Sequence, residues 1–108
     1  MTETQRKFLT EYLGECWHSQ ETYYDCDKAE IVQRRTFTEL KDKQDLLEAV
    51  IEKFEWNSVT YDSPVLSGKF IGFREFATKY YEIDFTLWLI QLSPEATAEL
   101  ICKWKGVE

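Results

Sequence analysis

Apolar positions along this chain change period several times, and each change marks an element. Near the start, Phe8, Leu9, Tyr12 and Leu13 recur at helical spacing. Thr2 and Gln5 have the form of a capping box ahead of them, and Gly14 is placed to stop the helix. From Glu15 to Phe37 the signal turns to strand. "ETYY" and "EIVQRRTF" are rich in β-branched and aromatic residues, and "DCDK" between them is a turn, so a hairpin is predicted. The clearest element follows. Asp42 or Thr38 caps a helix in which Leu46, Leu47, Val50, Ile51 and Phe54 share one face of "DLLEAVIEKFEW". Asp45, Glu48, Glu52 and Glu55 fall on the opposite face, forming one acidic stripe at about 100° per residue, with Lys41 the only cation aligned with it.

Asn57 to Gly72 reads as irregular, punctuated by Ser63-Pro64 and Ser67-Gly68, with "SVTY" a candidate short strand. "FREFATKYY" is a candidate short helix. "IDFTLWLIQL" begins alternating and ends apolar on both faces, which predicts a central strand covered on both sides. Ser93 then caps a last helix with Pro94 in its first turn, Glu95 toward the positive end of its dipole, and Leu100, Ile101 and Trp104 on its apolar face; Gly106 ends it. These elements predict a single α+β domain over residues 1–108, a small, mostly antiparallel sheet packed between or against three or four helices.

Composition narrows the function. A chain of 108 residues has room for one core, and 44% hydrophobic residues suit a packed globule rather than a disordered chain. Aromatics reach 16%, more than one such core needs, which leaves some for a partner surface. The formal net charge of −7 disfavours phosphate backbones and anionic membranes as direct partners and permits a basic protein surface, with plain solubility the other reading. The first residues lack the apolar run of a signal peptide, and the longest apolar stretch, "LWLI", is too short to span a bilayer. Three cysteines make no complete disulfide framework, and a reducing cytoplasm is the expected compartment.

The stretch "GECWHSQETYYDCDK" gathers the chain's one histidine and two of its cysteines. Cys16, His18 and Cys26, with Asp25 or Asp27, offer a candidate zinc set. A structural zinc is usually held by close cysteine pairs, and no C-x-x-C knuckle is present here. The expectation is no metal, with Cys16 packed as a small apolar group and His18 a surface or hydrogen-bonded ring. Two residues' separation does not put a base against a cysteine nucleophile, and "SGKF" lacks the glycine frame of a phosphate loop. A metal-dependent or nucleotide-processing enzyme therefore has no ligand set or phosphate cradle to stand on. The prediction is a non-catalytic protein with no cofactor.

"FLTEYLGECWH", "RTFTELKDKQDLLEAVIEKFEW", the "FTLWLI" segment and the closing "CKW" together resemble small phage and prophage orphan proteins. The nearest named group is the phage proteins described as α-β-α sandwiches, and the match covers most of the chain outside Asn57 to Tyr81. The resemblance implies a structural motif of Cys16, Trp17 and His18 at the end of the leading helix, with Phe37 and Thr38 at the entry to the second. Trp17 would be the core anchor that joins helix to sheet. Relatives often add a C-x-x-C-like pair after the Cys-Trp-His; here Cys26 is followed by Asp27, Lys28 and Ala29, which departs from that metal knuckle. The implied function is a non-catalytic accessory protein in the cytoplasm of the bacterial host. It would bind a host or phage protein with a basic surface and inhibit a host defence system in the manner of anti-CRISPR proteins. Alternatives are an immunity protein that plugs a basic toxin site, or a degenerate metal-binding phage protein. Asp45, Glu48, Glu52 and Glu55 are the candidate partner-binding residues, a row of carboxylates able to mimic phosphates. The other reading of that stripe is an ordinary solvated helix face.

Overall fold

The computed structural model describes residues 1–18, 20–25, 29–65, 67–81 and 89–108. Its class is α+β. The elements are α1 (Glu3–Tyr12), β1 (Thr22–Asp25), β2 (Glu30–Gln33), α2 (Leu40–Glu52), β3 (Val59–Tyr61), β4 (Gly68–Phe70), α3 (Phe73–Tyr81) and α4 (Pro94–Lys105). The described strands form two separate antiparallel pairs. β1 meets β2 with Tyr23 opposite Val32, and β3 meets β4 with Thr60 opposite Lys69.

The described core is helical. α4 packs against α1, α2 and α3, and buries Leu9, Phe37, Leu46, Val50, Phe73, Leu92, Ala98 and Ile101 around it. Both hairpins lie outside that cluster: of β2 only Val32 is half-buried, and of β3 no residue is buried.

Local chemistry sets most of the helix ends. Thr2 and Gln5 form the predicted box, each side chain bonding the other's amide at 3.0 and 3.1 Å. Ser93 Oγ accepts from the Ala96 amide at 3.1 Å. Gly14 and Gly106, at φ +79° and +73°, each donate back into the helix they close, and the next residue's amide reaches the carbonyl one residue further back. That double closure is the Schellman motif. Gly72 is demanded by a close approach instead: a Cβ there would lie 2.4 Å from the Asn57 carbonyl carbon.

Three sequence expectations are corrected. The N-cap of α2 is Glu39, not Asp42 or Thr38: its amide donates to Asp42 Oδ2 at 3.3 Å, so Asp42 serves the cap from inside the first turn, while Thr38 Oγ1 bonds Thr36 Oγ1 at 2.7 Å. α2 also stops at Glu52 rather than running to Trp56. Phe54 takes the left-handed conformation (φ +58°), and the amides of Phe54 and Glu55 close back on the carbonyls of Ile51 and Val50. The reversed chain then offers the carbonyls of Glu55 and Trp56 to the first amides of α3, from Phe73 and Arg74. Finally, of the predicted late strand, residues 83–88 lie outside the described residues and residues 89–91 are helical. Lys43, only 7% exposed, donates its ammonium to the carbonyls of Leu89 and Leu92 at 2.6 and 2.7 Å, satisfying the end of that helical turn.

Candidate functional site

The acidic stripe divides when the chain folds. Asp45 and Glu55 turn to cations that are distant in sequence, whereas Glu48 and Glu52 are exposed and join no ion pair with a described residue. Asp45 belongs to a cluster around Arg35, just after β2. That guanidinium takes Glu15 bidentately at 2.7 Å, Asp42 at 3.0 Å and Asp45 at 2.8 Å. Glu15 and the other carboxylates hold the Arg35 pKa above its ordinary value against the opposing effect of burial. The cluster borders a cleft of about 320 Å³ that also reaches Cys16, Tyr23 and Lys41. Arg35 is saturated by its three carboxylates, so its role is to join elements rather than to hold a ligand.

Glu55 has left the helix and faces the opposite direction in function. It accepts from the Tyr12 hydroxyl at 3.0 Å and pairs with Lys105 of α4. Burial, then the bond to Glu55, pushes the Tyr12 phenol above its ordinary pKa. Lys105 lies 4.2 Å from the Trp104 ring centre, so the cation is held from two sides. Asp45 and Glu55 thus sit inside the structure's own charge network.

The motif residues near Gly14 are also redistributed. Cys16 is exposed rather than packed, a correction to its reading as a small apolar filler. Trp17 is half-buried but stands outside the core cluster; its ring lies under the Arg34 guanidinium at 4.7 Å. It joins the end of α1 to β2 through that cation, not through the core. His18 stacks on Tyr23 at 4.1 Å, and its carbonyl accepts from Arg34 at 3.3 Å. Cys26 and Asp27 lie outside the described residues, and no group of three metal-ligating side chains is assembled among the described ones. Phe37 is fully buried at φ +59°, and Thr38 is exposed beside it.

The end of α2 is open to solvent. Glu48 and Glu52 are one helical turn apart. Beside them, Ile51 is 56% exposed, Phe54 90% and Val59 42%. With Trp56 and Asn57 these three line an apolar depression of about 500 Å³. The sequence pattern assigned Ile51 and Phe54 to the buried face. Nothing local signalled otherwise, because a straight helix keeps Phe54 in register with Val50; only the turn after Glu52 swings it out. No described helix is long and apolar enough to cross a membrane. No family model, curated protein or solved structure matches the chain.

Proposed function

We propose that this protein is a non-catalytic binding protein that engages a host or phage protein through the acidic surface at the end of α2. The observation that carries the reading is the pair Glu48 and Glu52, exposed and uncompensated by any described cation, in a chain of net charge −7. Such a surface attracts a basic protein and repels nucleic acid and anionic lipid. Glu48 and Glu52 carry the contact; Asp45 and Glu55, committed to Arg35 and Lys105, contribute only to the surrounding field. The resemblance to phage orphan proteins supplies the setting, a bacterial cytoplasm, and inhibition of a host defence system as the purpose.

The test is quantitative capture from bacterial lysate, comparing the unaltered chain with Glu48→Lys/Glu52→Lys. The expected outcome is a basic protein retained by the first and lost by the second. Identical captures from both would overturn the reading.

A further inference from the structure

We propose that Ile51, Phe54 and Val59 form the docking seat for a basic amphipathic helix of a partner protein. The inference rests on the acidic reading of α2 and adds to it the apolar anchor that fixes where the partner sits. Phe54 is the observation that carries it furthest. Its backbone lies at φ +58°, a conformation that disfavours any side chain and that glycine fills at the other two Schellman closures, Gly14 and Gly106. Its ring is 90% exposed, so burial within the chain gives little in return. An aromatic residue held in an unfavourable conformation and left in water does nothing for the fold, and such outliers concentrate at binding sites.

The neighbours complete a seat. Ile51 and Val59 are exposed around the same depression, whose lining residues, Ile51, Phe54, Trp56, Asn57 and Val59, include no charged group. Glu48 lies three residues before Ile51 on the same side of α2, so the border on the helix side carries a carboxylate. The nearest cation in sequence, Lys53, has its ammonium 5.1 Å from the Tyr12 ring centre, engaged toward α1. An apolar centre with an acidic border selects its occupant by charge. A second copy in a two-fold contact would set Glu48 and Glu52 against their own equivalents, and each copy carries −7. Nucleic acid and anionic lipid are repelled likewise. A helix with leucine-like side chains on one face and lysines or arginines alongside satisfies both parts, its apolar face entering the depression and its cations meeting the carboxylates.

The probe is a labelled synthetic Lys/Leu amphipathic helix, read by fluorescence anisotropy beside a Lys/Ser peptide of equal charge and length. The Lys/Leu peptide is expected to bind, and Phe54→Gly to weaken it about tenfold or more, the scale of an aromatic anchor. The same variant is expected to unfold at an equal or higher urea concentration, which separates lost binding from lost folding. Equal affinity of the Lys/Ser peptide, or unchanged binding by Phe54→Gly, would overturn the seat. If that result came with loss of binding in Glu48→Lys/Glu52→Lys, the acidic reading would survive alone. Lys/Leu binding that is lost in Phe54→Gly but indifferent to the charge reversal would overturn the basic character of the partner. Sedimentation showing a dimer that Phe54→Gly dissolves would assign the seat to a second copy, and the proposal would fail.

Discussion

Phe37 and Phe54 share a backbone conformation and differ in everything else. Both lie near φ +58°, yet Phe37 is wholly buried and Phe54 is 90% exposed. The left-handed region costs an L-residue about 1–2 kcal/mol, and glycine escapes it at some entropic cost in the unfolded chain. Phe54→Gly should therefore raise stability by about 0.5–1 kcal/mol in urea denaturation, since almost no burial is lost. Phe37→Gly should lower it by about 3–5 kcal/mol, because cavity formation outweighs the same relief. Equal losses at the two sites would mean that Phe54 is packed. The cysteines separate in the same way. Burial, then the Glu99 charge, pushes the Cys102 thiol up to about 11, while Cys16 is exposed. Alkylation near about pH 8 should modify Cys16 and spare Cys102 until the chain unfolds, as mass mapping of the products will show.

Between elements, charge pairing does what the sparse strand contacts do not. Arg35 joins the segment after α1 to the start of α2 through Glu15, Asp42 and Asp45, whose side chains are 33%, 7% and 26% exposed. Removing the cation strands three carboxylates, one of them buried. Arg35→Ala should cost about 2–3 kcal/mol at neutral pH, below the figure for fully buried pairs because two partners touch water. Glu75 ties β4 to α3 in a similar way. Lys69, then Ser58 and Lys79, hold its carboxyl at about 2, below its ordinary 4.5. A depressed folded pKa stabilises above the unfolded value, and the contribution fades as pH falls from about 4.5 toward 2. Carboxyl NMR titration should place the Glu75 midpoint near the lower figure, and Glu75→Gln should flatten the acid limb of stability; a midpoint at 4.5 would refute the tie.

Across the whole molecule, what was legible in the sequence is what short-range chemistry decides. The capping box at Thr2, the hairpin of Tyr23 and Val32, the short helix from Phe73 and the Ser93 cap each depend on residues within a few positions, and each stands where the pattern put it. The end of α2 was not legible, because a phenylalanine occupies a turn that usually announces itself by glycine. Residues 89–91 read as strand because a short apolar run has no period of its own, and Lys43, far away in sequence, satisfies the helical turn they form. The site was half legible for the same reason: helical spacing grouped four carboxylates, but Arg35 and Lys105, which neutralise Asp45 and Glu55, arrive only by folding. That division gives the stripe a sharper consequence than the pattern alone. Exposed charges act through association rate and are screened beyond about 10 Å at 0.1 M salt. Glu48→Lys/Glu52→Lys should slow association with a basic partner several-fold and flatten its salt dependence. Stability should move by only about 0.5 kcal/mol, because neither side chain has a described partner to lose. Asp45→Asn should do the reverse, loosening the Arg35 cluster in denaturant melts while leaving the association rate nearly unchanged. Stopped-flow association across a salt series, run on both variants, separates a carboxylate that meets a partner from one that holds the fold; a rate lost in Asp45→Asn and kept in the double reversal would place the contact at the other end of the helix.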